Sequence, residues 1–196
     1  MRLTVLGWRH VPRGARASHV HWIHHAAGRW NRQGEYGALY LALHPYGALL
    51  EYAKLLRTLG VTPHMAKPRD LVSVRIDVTQ ALDLRHPNWI PSYPRWPSEV
   101  MGDSADSLAR CRALADDAIS MGNSAIRVPS SIMPSMIEMD NIIVYPHTRP
   151  ANWAIDDGPD RFEISDTEGS IGADTWREIF SLYPTLVLPG MDLWLT

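Results

Sequence analysis

The sequence predicts an α+β fold, and three observations support this. Its 196 residues suit a single domain spanning residues 1–196, and hydrophobic residues make up 45%, enough for a sizeable core. The charged fraction of 20% argues against a disordered chain. The hydrophobic pattern predicts more strands than helices, and the helices do not alternate regularly with the strands. That arrangement favours α+β over a doubly wound parallel sheet.

In the first half of the chain, short apolar runs predict the strands and helices, and proline and glycine residues mark their ends. Residues 3–7 and 37–43 are each predicted to form a strand. A helix over residues 46–59 follows, because Pro45 suits a helix start and Gly60 a position just past the end. Residues 70–78 alternate well, with Val72, Val74, Ile76 and Val78 on one face, and are predicted to form a further strand.

The second half begins with a proline-rich stretch, residues 84–102. We expect it to be a long ordered loop rather than a linker, because its aromatic side chains favour burial. Asp103 or Ser104 is predicted to cap a second helix that ends at Gly122. Further strands are predicted at residues 125–128, 141–145, 185–188 and 192–195.

The charge distribution is uneven. Residues 1–34 contain no acidic residue, five of the nine histidines and six arginines: Arg2, Arg9, Arg13, Arg16, Arg29 and Arg32. Their counter-charge comes either from the acidic remainder of the chain or from a phosphate-bearing ligand, which suits the guanidinium fork. Direct nucleic-acid binding is disfavoured, because this segment has no lysine and the pI is about 6.5.

The cysteine content and the lengths of the apolar runs exclude several classes of protein. The single cysteine, Cys111, excludes an intramolecular disulfide and a multi-cysteine zinc cluster, and it lies in an apolar helical pattern that predicts core packing. No apolar run reaches the ~18 residues of a membrane span. The apolar stretch at residues 1–7 is too short for a signal peptide, so we expect a cytoplasmic protein.

The histidine-rich segment His19-x-His21-x-x-His24-His25 resembles a metal-binding pattern. Imidazole is a common metal ligand, but this segment has no Asp, Glu or Cys, and the chain has no HExxH motif. A loop is therefore favoured, and no metal site is predicted.

Two further positions leave alternatives open. On a helical wheel Glu51 shares a strip with Gly47, Lys54 and Thr58, which favours a solvated position with an ion pair to Lys54. The alternative is a carboxylate at the edge of a cleft. Ser130 follows a short predicted strand and is typical of a turn or cap. No serine-hydrolase elbow, Rossmann or P-loop motif is present.

Several segments together resemble the RES domain family. The match is most specific in Gly28-Arg29-Trp30-Asn31, Ala38-Leu39-Tyr40-Leu41-Ala42 and Ala48-Leu49-Leu50-Glu51, where Arg29, Tyr40 and Glu51 are each eleven residues apart, as in the family. Further family segments are similar to three other parts of the chain: Trp8-Arg9, residues 126–131 and residues 141–147. The resemblance covers roughly residues 3–150. Tyr145 and His147 depart from the family pattern, the insertion-like segment 10–27 is variable, and residues 151–196 match no part of it.

This resemblance implies a mixed β-sheet with flanking helices, similar to ADP-ribosyltransferases, with a cleft for NAD as substrate and no separate cofactor. Glu51 would stabilise the cationic ribose, with Arg29 and Tyr40 as further catalytic residues. Arg9 and Arg29 would bind the diphosphate and Tyr40 would face the nicotinamide or ribose; Ser130 and Asn141 complete the expected substrate-binding set.

The resemblance also implies a toxin that cleaves NAD and passes ADP-ribose to phosphate or water, with a separate helix-turn-helix protein as its antitoxin. A protein ADP-ribosyltransferase is the nearest alternative, and a catalytically inactive binding module is an alternative of another class. Arg29, Tyr40, Glu51 and Ser130 are all present, which argues against an inactive copy. No membrane partner is expected, and the oligomeric state, including a homo-oligomer, is left open.

Overall fold

The computed structural model describes residues 1–20, 23–85, 98–148 and 153–184, which form a seven-stranded sheet with helices packed on it. The strands are β1 (Leu3–Pro12), β2 (Leu39–Ala42), β3 (Arg69–Val78), β4 (Ala81–Asp83), β5 (Ala125–Val128), β6 (Asn141–Val144) and β7 (Trp153–Glu163). The helices are α1 (Pro45–Leu59), α2 (Ser98–Met101), α3 (Ala105–Ser120) and α4 (Ala173–Leu182).

The strand order across the sheet is β4-β5-β6-β2-β1-β3-β7. Only the β4–β5 pair is parallel among the described strands, and every other neighbouring pair is antiparallel. The sheet is therefore mixed. The predicted α+β class, with a mixed sheet and flanking helices, is confirmed.

The first strand is longer than predicted. It runs to Pro12 rather than residue 7, because β1 pairs with β3 along its whole length, from Leu3 opposite Val78 to Pro12 opposite Arg69. This ladder holds the polar residues Arg9 and His10 in extended backbone. Local pattern alone does not favour a strand there, so the cross-strand hydrogen bonds decide the outcome.

Other boundaries moved by one or a few residues. The predicted strand at 37–43 is confined to Leu39–Ala42, and the strand at 141–145 ends at Val144. The prediction that residues 84–102 form only a loop is wrong at its end, since Ser98–Met101 are helical. Residues 86–97 and the strands predicted at 185–188 and 192–195 lie outside the described residues.

Besides α2, three elements were not predicted: β4, β7 and α4. β7 carries Asp156, Asp157, Gly158 and Pro159 in its middle, which resembles a turn. It forms the edge of the sheet beside β3, and an edge strand tolerates proline and charge because one side needs no ladder partner.

The predicted ends of α1 are confirmed by its caps. The Nδ1 atom of His44 accepts a hydrogen bond of 3.1 Å from the backbone N–H of Tyr46. Pro45 begins the helix, and Gly60 follows it in the left-handed conformation at φ 64°. The caps fix where α1 starts over the sheet, and therefore where its side chains fall.

Ser104, one of the two predicted caps, is the N-cap of α3. Its side chain accepts a hydrogen bond of 3.2 Å from the backbone N–H of Ser107. We expect Ser104→Ala to lower the free energy of unfolding by about 1 kcal/mol, because one helix N–H loses its partner. Chemical denaturation measures the change, with Ser120→Ala at the exposed other end of α3 as the control. Equal stability of the two variants would contradict the capping role.

The two faces of the sheet are covered differently. On one face, alternate residues of β3, including Val72, Val74, Ile76 and Val78, form a core with residues of β2 and β6, as the alternation predicted. On the other face, α1 and α4 pack around Trp8, and α3 packs on β5 and β6 with Cys111 fully buried. Among the described helices, none is both long and apolar enough to cross a membrane.

Candidate functional site

A cavity of about 600 Å³ lies on the helical face of the sheet, beside α1. Trp8 of β1, Tyr40 of β2 and Ile143 of β6 line it from the sheet, and Glu51 of α1 lines it from the helix. The loop before β2 supplies a further wall through residues 28–30. The cavity therefore collects residues from segments far apart in the chain.

The loop wall is a tight turn built around Tyr40. The Tyr40 hydroxyl accepts a hydrogen bond of 2.8 Å from the Trp30 N–H and donates one of 3.0 Å to Oδ1 of Asn31. A Cβ at Gly28 would overlap both the Tyr40 hydroxyl and the Asn31 side chain, so the close approach requires glycine. Burial raises the pKa of Tyr40, which keeps its phenol neutral.

Arg29 is held in this wall by the segment between α2 and α3. Its Nη1 donates to the carbonyls of Val100 at 2.8 Å and Gly102 at 2.7 Å, and its Nη2 pairs with Asp103. The side chain is only 12% exposed but still lines the cavity. Most of its donors are thus engaged by the protein itself, so Arg29 shapes the wall as well as carrying charge.

Glu51 lies at the cavity wall, half-buried. The Nδ2 atom of Asn141 donates to its Oε1 at 3.3 Å, and burial raises the pKa of Glu51 while this hydrogen bond lowers it. The solvated strip that the helical wheel favoured is wrong, because the wheel does not include the sheet beneath α1. A carboxylate in a partly dry cavity interacts strongly with any positive charge that develops beside it.

Lys54 does not form the ion pair with Glu51 that the spacing suggested. Its Nζ donates instead to Asp103 at 2.9 Å and to the hydroxyl of Ser131 at 3.3 Å. Asp103 thereby bridges Lys54 and Arg29 and is 64% exposed. The hydrogen bond from Lys54 and the charges of Lys54 and Arg29 lower the pKa of Asp103, so it stays ionised.

Two predicted binding residues are arranged differently from the others. Ser130 is buried outside the cavity lining, and its hydroxyl accepts from the N–H groups of Ile132 and Met133, as a turn serine does. Arg9 borders the cavity floor, but alternation along β1 places its side chain on the opposite face from Trp8. Its Nη1 donates to the carbonyl of Ala17 at 3.1 Å.

The structure therefore brings Arg29, Tyr40, Glu51 and Asn141 together around one cavity. It also adds four ionisable lining residues that the sequence did not single out for a site: His10, Lys54, Arg69 and Asp103. No sequence motif identified His10 or Arg69 as site residues. The two come close together only because β1 pairs with β3, which places His10 opposite Leu71 and Arg69 opposite Pro12.

Much of the counter-charge for the acid-free segment comes from the chain itself. Arg2 pairs with Asp77, Arg13 with Asp70, Arg29 with Asp103 and Arg32 with Asp116. In the histidine-rich segment, the His24 ring packs on that of His147 at 4.0 Å between centroids, and His21 lies outside the described residues. The described residues contain no group of three His, Cys, Asp or Glu placed to hold a metal ion.

Comparison with known proteins gives a family and a fold. A family model described as the RES domain matches residues 7–164. The fold is similar to a chain in the crystal structure of the M. tuberculosis MbcT–MbcA toxin–antitoxin complex, with a TM-score of 0.67 and 16% identity over 92% of this chain and 91% of that one. No curated protein sequence matches the chain.

Proposed function

This chain belongs to the RES domain family, and from that premise we propose that it is a toxin that cleaves NAD at the bond between nicotinamide and ribose. ADP-ribose then passes to phosphate or water. The observation that carries the proposal is the half-buried carboxylate of Glu51 in a cavity shared with Arg29 and Tyr40. The wall residues belong to the segments in which the resemblance is most specific.

Glu51 and Asn141 can support cleavage of the bond between nicotinamide and ribose. The C1′–N bond breaks with its electron pair leaving on nicotinamide, which departs as a neutral ring, and the ribose becomes an oxocarbenium ion. The Glu51 carboxylate stabilises that cation, and Asn141 orients the carboxylate through its 3.3 Å hydrogen bond. An oxygen of phosphate or water then bonds to C1′, and the proton of the attacking group is released.

Tyr40 and Arg29 have supporting roles in this proposal. The Tyr40 ring lines the cavity while its hydroxyl is engaged by Trp30 and Asn31, so it offers a rigid aromatic face to the nicotinamide or ribose. Arg29 places a fixed positive charge in the same wall for the diphosphate.

Nicotinamide release by the purified protein tests the proposal. We expect free nicotinamide from NAD alone or only when phosphate is added, and the two results identify water or phosphate as the acceptor. Release that requires an added acceptor protein would indicate a protein ADP-ribosyltransferase instead. NAD binding without any release would indicate a binding module.

A separate antitoxin, of helix-turn-helix type, is part of the same proposal. The similar fold in a toxin–antitoxin complex supports such a partner. The product of the adjacent reading frame, mixed with this chain, is expected to form a stable complex and to suppress nicotinamide release. A neighbouring product that neither binds nor inhibits would contradict it.

Asp103 is expected to weaken the binding of an anionic ligand, because its single negative charge offsets part of the positive charge of Lys54 and Arg29 at the cavity. Asp103→Asn should lower the dissociation constant for ADP-ribose about two- to fivefold, as for a partly solvated charge. Calorimetric titration measures the change, with Asp106→Asn on the exposed first turn of α3 as the control. Unchanged or weaker binding in Asp103→Asn would contradict this effect.

A further inference from the structure

One end of the cavity holds a positive charge with which no carboxylate of the described residues pairs. His10 of β1 and Arg69 of β3 line that end. The Arg69 guanidinium donates to the carbonyl of His10 at 3.3 Å and lies 5.7 Å above the ring of Tyr52, on which the His10 ring also packs at 4.7 Å. Glu51, which precedes Tyr52 in α1, lines the same cavity.

Both side chains leave a buried polar atom without a partner. Within the described residues, Nε of Arg69 and Nδ1 of His10 are buried and form no hydrogen bond. Burial lowers the pKa of Arg69, and no carboxylate among the described residues acts on it. A half-buried cation without a counter-charge is unfavourable, and a buried N–H without an acceptor adds to the cost. An anionic ligand with several acceptor oxygens would match such a pair in the lining of a cavity.

We propose that His10 and Arg69 form a subsite for a phosphoryl group at this end of the cavity. Arg69 supplies the charge and its Nε–H, and the imidazole of His10 donates through Nδ1 as a neutral ring. Burial, together with the charges of Arg69 and Arg9, lowers the pKa of His10 to about 3, so the ring does not add a second charge.

Arg29 and Arg69 differ in how many of their donors the protein already uses. Arg29 is engaged by two carbonyls and Asp103, whereas Nε of Arg69, a residue of the cavity lining, has no hydrogen-bond partner among the described residues. On the proposed function, the phosphoryl group belongs either to the diphosphate of NAD or to free phosphate that accepts the ADP-ribose. Both present the same oxygens to Arg69.

The first test uses binding without turnover. Pyrophosphate and inorganic phosphate should raise the melting temperature of the wild type saturably. Arg69→Gln should need about ten- to a hundredfold more of the anion for the same rise, since one charge-assisted contact is lost. Arg75→Gln, which removes an exposed charge from the same strand, is the matched control and should respond like the wild type. A wild-type response in Arg69→Gln would overturn the subsite.

Two milder variants test the subsite if Arg69→Gln is itself destabilised, that is, if it melts at a lower temperature without any anion. His10→Phe keeps an aromatic ring to pack on Tyr52 but removes Nδ1, and Arg69→Lys keeps the charge but loses the guanidinium fork. Weaker anion binding in either variant supports the subsite. Wild-type binding in both overturns it.

Separate titrations identify the source of the phosphoryl group. Weaker binding of ADP-ribose by Arg69→Gln assigns the subsite to the diphosphate, and weaker binding of inorganic phosphate alone assigns it to the acceptor. Unchanged binding of both contradicts the subsite. A wild type that binds pyrophosphate through Arg69 but releases no nicotinamide would overturn the proposed function and leave the subsite standing.

Discussion

Glu51→Gln should lower kcat for nicotinamide release about a hundred- to a thousandfold, the cost of removing comparable electrostatic stabilisation elsewhere. Glutamine keeps the shape of the side chain and can still contact Asn141, but it carries no charge. That charge matters more as the ribose becomes cationic than in the ground state, so NAD binding should be largely retained. Single-turnover kinetics and NAD titration measure the two quantities separately.

The pH profile is a second signature of Glu51. Burial raises its pKa above the ordinary 4.5, so the carboxylate is lost at a higher pH than for an exposed glutamate. The kcat/KM should therefore fall as the pH decreases through this raised pKa. We expect this acid limb to be absent in Glu51→Gln, whose residual activity does not depend on that proton.

The control for these measurements is Glu138→Gln, which changes an exposed glutamate outside the cavity lining. It should turn over NAD like the wild type. A folded Glu51→Gln variant with wild-type turnover would remove Glu51 from the mechanism. Thermal melting of both variants excludes loss of fold as the cause of any decrease.

Arg29→Ala should lower kcat/KM about ten- to a hundredfold, from the loss of charge-assisted contacts worth about 1.5–3 kcal/mol. The structure adds a second effect. The guanidinium joins the turn at Trp30 to the carbonyls of Val100 and Gly102, so its removal should also lower the melting temperature. Steady-state kinetics with NAD and a melting curve measure both.

Arg29→Lys should recover little of the lost activity. A single ammonium group cannot reproduce the fork that contacts two carbonyls and Asp103 together. Arg57→Ala, which removes an exposed charge from the last turn of α1, is the control and should behave like the wild type. Full activity in Arg29→Lys would show that charge alone suffices at this position.

The sequence predicted best those elements whose signals are local. The alternation of β3, the apolar segment of β2 and the caps of α1 and α3 depend on residues a few positions apart. β7 was missed because its Asp-Asp-Gly-Pro stretch is typical of a turn, and its extended backbone follows from pairing with β3. Hydrogen bonds to a distant strand leave no signal in a short window.

For the candidate site too, the sequence predicted some features correctly and others wrongly. The spacing of Arg29, Tyr40 and Glu51 identified residues that the fold places around one cavity. The helical wheel misjudged the surroundings of Glu51, and proximity in sequence paired Lys54 with Glu51 instead of Asp103. A wheel describes one helix alone, whereas burial and ion pairing depend on what packs against it.

By itself the sequence determined the family, the fold class and the residue types that the proposed chemistry requires. Only the tertiary structure decided which of them face the cavity. Arg9 is adjacent to His10 in the chain, but alternation along β1 places the two side chains on opposite faces, and pairing with β3 brings Arg69 beside His10. The physical reason is that strand pairing and helix packing join residues by their positions in the sheet, across separations that no local pattern records.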